Sequence, residues 1–113
     1  MKSIIFMVSI FLTGFTYAGE WLELKPADLK QIEVAQAGAL SFASEGIYFV
    51  HNGEYPTTLN CSKKSYVVIT DPKLIDRSYS AALFAIASEK TLKFYVDGCD
   101  NNYIHAKIFM LKP

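Results

Sequence analysis

Six consecutive residues, Asp97-Gly98-Cys99-Asp100-Asn101-Asn102, form a run dense in oxygen-bearing side chains. Such oxygens can ligate Ca²⁺ or hydrogen-bond the hydroxyls of a sugar. The run lacks the ligand spacing and closing glutamate of an EF-hand loop, so it reads first as a polar hairpin loop. A crosslink through Cys99 would hold its side chains in place, and a rigid loop loses less entropy on binding. Asp97, Asp100, Asn101 and Asn102 are therefore candidate ligand contacts. Trp21 and Tyr55 join them, because an exposed aromatic ring offers a flat apolar face with a polar edge. For Trp21 the competing reading is core packing by an N-terminal arm. Tyr55 precedes Pro56 in a loop-like stretch and is expected to be exposed.

Catalytic and metal chemistry find less support. Secreted hydrolases need a nucleophile with its base, paired carboxylates or a metal. Glu45 and Glu54 flank an apolar stretch, and His51 and His105 are the histidines, but no spacing unites them. The serines fall in no nucleophile-elbow pattern. The expectation is a non-enzymatic protein without metal or other cofactor. A small hydrolase using His51, His105, Glu45 and Glu54 is the catalytic alternative. Asn60-Cys61-Ser62 formally matches a glycosylation sequon, without meaning in a bacterial periplasm or beside a crosslinked Cys61.

The compartment follows from the first eighteen residues, MKSIIFMVSIFLTGFTYA. Lys2 supplies a basic start, Ile4 to Leu12 an apolar stretch broken only by Ser9, and Thr16-Tyr17-Ala18 a small-residue cleavage site. A signal peptide over residues 1–18 leaves Gly19 to Pro113 as one secreted or periplasmic domain with no membrane span. That mature chain has 95 residues, with ten basic against eleven acidic side chains interspersed. It shows no basic stripe for nucleic acid and no polybasic cluster for anionic lipid. Cys61 and Cys99 are the two cysteines. In an oxidising compartment they read most simply as one disulfide; without a CxxC, a metal or catalytic thiol is the weaker reading. Closing a loop of 38 residues would stabilise the fold by roughly 3–4 kcal/mol.

The elements that must position these residues are short strands and one helix. Glu20 to Lys30 reads as a polar lead-in, a turn of helix or an extended arm. Lys30 to Gln36 alternates as a half-buried strand, with Gly38 permitting a bend before Leu40 and Phe42 resume it. Ile47 to His51 is a second strand, stopped by an Asn52-Gly53 turn suited to positive φ. Ser65 to Thr70 is a third strand, ended by Asp71-Pro72. Tyr79, Ala82, Leu83 and Ile86 then form one apolar helical stripe, with Asp76 as the expected N-cap and Ser88-Glu89-Lys90 as the end. Leu92, Phe94 and Val96 share one face of the next strand. In the last strand Ile104, Ala106, Ile108 and Met110 share a face, opposite Tyr103, His105, Lys107, Phe109 and Leu111. The face mixing aromatic and charged groups is the expected partner surface. The result is a mainly β, α+β fold of order β-β-β-α-β-β, the connectivity of the OB-fold barrel.

Residues Arg77 to Met110 resemble the C-terminal third of the receptor-binding B subunits of AB5 toxins, the cholera and heat-labile enterotoxin type. The likeness rests on an amphipathic helix, Lys93-Phe94-Tyr95-Val96, the Asn101-Asn102 turn and a last strand ending Ile108-Phe109-Met110. Glu20-Trp21 is similar to the start of the subtilase and pertussis-like branch. The resemblance implies an OB-fold subunit that forms a homo-oligomeric ring of five, binds a cell-surface glycan or protein receptor, and accompanies an A subunit. Two positions depart from the enterotoxin pattern. Asp97 stands where a sugar-stacking tryptophan is found, and Cys99 lies in the turn rather than in a strand. The alternative function is a periplasmic protein–protein interaction module, an inhibitor or accessory subunit.

Overall fold

The computed structural model describes residues 19–36, 38 and 44–112. The leader read from residues 1–18, and the strand expected to resume at Leu40 and Phe42, lie outside them. Alternating burial decides the strands. In β1 (Glu20–Leu24), Leu22 and Leu24 point inward while Trp21 and Glu23 stay out. The expected polar lead-in is thus a sixth strand, because two leucines spaced by two suffice to anchor it. A single 3-10 turn at Pro26–Asp28 leads into β2 (Leu29–Ala35). Then come β3 (Gly46–His51), β4 (Lys63–Ile69), the helix α1 (Pro72–Ser88), β5 (Thr91–Asp100) and β6 (Tyr103–Lys112). Mostly strand with one α-helix among the described residues, the chain has the expected α+β character.

One sheet runs in the order β1-β5-β6-β4-β3-β2. Its pairings are antiparallel except β4 with β6, which is parallel. The two outermost strands are consecutive in the chain. Five spacings of a flat sheet would hold them about 24 Å apart, whereas the five steps from Leu24 to Leu29 reach at most about 18 Å even fully extended. The sheet must therefore curl. Its inner face carries Ile47, Phe49, Val67, Ile69, Phe94 and Ile104, all shielded from solvent. The rings of Phe49, Phe94 and Phe109 lie 5.1–5.7 Å apart at its centre.

The helix caps this inner face, and its contact surface differs from the expected stripe. Asp71, not Asp76, is the N-cap: its carboxylate accepts the Lys73 N–H at 2.8 Å, with Pro72 opening the helix. Proline's fixed φ suits that first position and its missing N–H is not needed there, so Asp71-Pro72 starts the helix while ending the strand. Glu89 closes it in the left-handed conformation (φ 57°). Ser78, Ala82 and Ala85 are the residues buried against the sheet, whereas Tyr79, Leu83 and Ile86 are exposed. Small side chains let the helix approach a sheet that already supplies large aromatic ones; a stripe of Tyr, Leu and Ile would hold it away.

Two further expectations change. Asn52 and Gly53 are not among the positive-φ residues; a loop over 52–62 replaces the tight turn. In β6 only Ile104 and Ala106 face inward with Phe109 and Leu111, while Ile108 and Met110 are exposed on the other side. The cause is a bulge. Tyr95 pairs with Ile108 but Val96 with Ala106, so Lys107 is an extra residue; Val96 and Gly98 flank an equally extra Asp97. Each bulge shifts the phase of simple alternation by one.

Candidate functional site

The bulge at Asp97 arranges the end of the β5–β6 hairpin. Beyond it the alternation is re-phased, so Asp100, opposite Tyr103, lies on the outer face, and Cys99, opposite Ile104, is directed toward Cys61. The disulfide Cys61–Cys99 forms as expected, with Cα atoms 5.7 Å apart. Cys99 belongs to β5, not to the turn. The turn proper is Asn101-Asn102, with φ of 54° and 73°. Two successive left-handed residues are the type I′ pattern favoured in two-residue hairpins, which asparagine tolerates.

At this tip the side chains converge. The Ser44 hydroxyl donates to Asp100 Oδ1 at 3.3 Å, and the Asn101 amide donates to Ser44 Oγ at 3.0 Å. The Tyr48 hydroxyl donates to the Ser44 carbonyl at 2.5 Å. Tyr48 packs edge-on against Tyr103 at 5.1 Å, and Tyr66 does likewise at 5.2 Å. The Lys63 ammonium lies 4.6 Å from the Tyr103 ring centre. Tyr48 and Tyr103 are buried with Val68 in a second apolar cluster on the outer face. Desolvation pushes the Tyr48 phenol up, with Tyr103 and the Asp100 carboxylate adding to it, so it stays a neutral hydrogen-bonding group. The arrangement sets a carboxylate, an amide and a hydroxyl on a base of buried tyrosines, and these polar groups can exchange hydrogen bonds with a polyhydroxylated ligand.

The other predicted residues are distributed. Asp97 points its carboxylate to Lys107, 3.1 Å away, so the two bulge residues form an exposed ion pair. Asn102 is exposed at the turn, where its carbonyl accepts the Lys63 N–H at 2.9 Å. With Asp97 turned to Lys107 and Asp100 to Ser44, the oxygens of the run do not gather into a cage. Trp21 is 44% exposed; its indole meets Tyr95 edge-on at 5.3 Å, and the Lys93 ammonium sits 5.0 Å from its ring centre. With Ile108 and Met110 it makes a second outer-face patch, roughly 17 Å along β5 from the tip at the strand rise per residue.

Tyr55 is the clear correction: it is only 2% exposed. Its hydroxyl donates to the Phe49 carbonyl at 2.9 Å, and its ring abuts His51 and Phe94. The loop folds inward around it, and burial pushes its phenol far above the ordinary tyrosine value. Sequence reading missed Tyr48, Tyr66, Lys63 and Ser44 as site residues and placed Tyr103 only on the expected partner face, because the β3–β4 and parallel β4–β6 pairings that gather them are long-range contacts with no local signal.

The residues of the catalytic alternative are spread along β3 and its flanks and on β6. Glu45 and Glu54 stand at opposite ends of β3, about 20 Å apart for a six-residue strand. His51 Nδ1 accepts the Gly53 N–H at 2.8 Å, and His105 Nε2 pairs with the Thr70 hydroxyl at 3.0 Å. No family model matches the chain, and no curated protein or solved structure matches it at the level that marks a relative. Among the described residues no helix is long and apolar enough to cross a membrane.

Proposed function

We propose that this chain is a secreted or periplasmic binding subunit of OB-like architecture that recognises a glycan at the tip of its β5–β6 hairpin. The observation that carries this reading is the Ser44–Asp100–Asn101 cluster beside Tyr48 and Tyr103, held by the Cys61–Cys99 crosslink. The AB5-like character of Arg77 to Met110 and the element order support it. Assembly as a homo-oligomer would multiply individually weak sites through avidity; partnership with an A subunit belongs to the same reading. A glycan array followed by titration tests it. Asn101→Gly keeps the left-handed turn while removing the amide, so it should weaken glycan binding at least tenfold without lowering Tm. A protein that binds no glycan on the array, or a variant that binds undiminished, sinks the proposal.

The second reading is a protein–protein module, favoured by the patch of Trp21, Ile108 and Met110. Aliphatic side chains beside a tryptophan suit a protein surface better than a sugar. Recovery of one stoichiometric partner from periplasmic extract, lost on Ile108→Asp, would support it over the first.

A further inference from the structure

Gly98 lies within β5, where a glycine weakens the strand and calls for a reason. The fold supplies none of the usual ones. Its φ is not positive, unlike that of Gly38. The adjacent bulge does not select it, because a bulge that demands glycine does so for a left-handed φ. Close packing does not demand it either. A Cβ on Gly46 would come within 2.5 Å of the Ile69 carbonyl oxygen, and one on Gly19 would strike the Tyr95 ring. A Cβ on Gly98 would meet nothing within 4 Å.

The missing side chain leaves an opening on the outer face. Gly98 stands opposite His105, and the next outward pair toward the turn is Asp100 with Tyr103. The His105 ring leans away from the opening, because its Nε2 is held by the Thr70 hydroxyl at 3.0 Å on the β4 side. Polar groups stand at both ends. Toward the turn are the Asp100 carboxylate and the Asn101 amide, joined through Ser44. Toward the bulge is the Asp97–Lys107 ion pair. The three steps from Asp97 to Asp100 span about 10 Å of strand. The floor is therefore bare backbone between two polar ends, a shape that admits a ring edged with hydroxyls and gives an aliphatic side chain nothing to pack on.

We propose that Gly98 is the floor of the glycan site: one sugar ring lies over its backbone, with hydroxyls on Asp100 and Asn101 and its far edge against the Asp97–Lys107 pair. The inference rests on the glycan reading of the hairpin tip and adds where the sugar sits and which residue makes room for it. Gly98→Ala and Gly98→Val test it on the same glycan array. One methyl group on the floor should weaken the strongest-bound oligosaccharide roughly tenfold, and valine should abolish its binding. Tm should stay level or rise, since a strand favours both residues over glycine. In an NMR titration of the wild type with that oligosaccharide, the Gly98 backbone amide should shift together with the Asn101 side-chain amide. Undiminished binding by Gly98→Val beside weakened binding by Asn101→Gly overturns the floor and leaves the tip reading standing. A shift at Asn101 that spares Gly98 does the same. A lowered Tm in Gly98→Ala would show that the fold itself needs the glycine and would overturn the inference at its premise. A wild type that binds no oligosaccharide overturns both readings.

Discussion

Tyr55 illustrates how a single hydroxyl decides a residue's place. A tyrosine ahead of a proline in a polar stretch reads as a surface residue, yet the Phe49 carbonyl offers its hydroxyl a partner inside. That partner is distant in structure-building terms: it exists only once β3 is paired. Tyr55→Phe should therefore lower stability by about 1–2 kcal/mol, visible as a drop of several degrees in Tm. An unchanged Tm would mean that the hydroxyl bond contributes nothing. Glu20 shows the opposite relation to solvent. Desolvation raises its carboxyl, but the Thr58 N–H and the Thr58 and Thr57 hydroxyls outweigh that and hold it below the usual 4.5. A carboxyl with a lowered folded value stabilises above its unfolded value, and the contribution disappears as pH falls through the folded one. The wild type should thus lose Tm below about pH 4.5 more steeply than Glu20→Gln; parallel acid profiles would refute the clamp.

Secondary structure followed from local chemistry where partners were local. The period-two burial of Leu92, Phe94 and Val96, and the stop at Ser88-Glu89-Lys90, were legible because neighbouring residues decide them. The helix start was not, since Asp71 and Asp76 are both good caps and only the Pro72 geometry separates them. Asp71→Ala should cost about 1 kcal/mol in urea unfolding, whereas Asp76→Ala should cost nothing measurable. The orientation of the helix was also illegible. Hydrophobic periodicity finds the apolar stripe, but it cannot tell a face that meets the sheet from one left exposed. Ser78, Ala82 and Ala85 won the sheet by size. The bulges hid in the same way, since Asp97 and Lys107 look like ordinary alternating residues until the strands are paired.

The curled sheet binds distant parts of the chain. Thr57 and Thr58 hold the start of β1 through Glu20, Asn52 donates to the Asp28 carbonyl, and Lys112 meets Glu23 at 3.1 Å. The disulfide closes the largest covalent constraint, tying the loop before β4 to the end of β5. The one-disulfide, α+β organisation was the part most readable from composition, periodicity and cysteine count; the sheet order was not, because it depends on pairings between strands far apart in sequence. Reduction should remove roughly 3–4 kcal/mol of stability, a large share for a chain of this size. A denaturation midpoint insensitive to reductant, checked by free-thiol assay, would contradict that. On the proposed glycan reading, binding at the hairpin tip should be lost before global unfolding as reductant is raised, since the crosslink lies beside that tip.

The two bulges also bear on how the chain can change length. Val96 pairs with Ala106, and the extra residues Asp97 and Lys107 sit on either side of that pair, one in each strand. Removing either leaves the inward and outward assignments of every other residue as they are. Positions 97 and 107 are thus where insertions and deletions can accumulate in descendants without relocating the core or the hairpin tip, and where gaps belong when shorter relatives are aligned to this sequence.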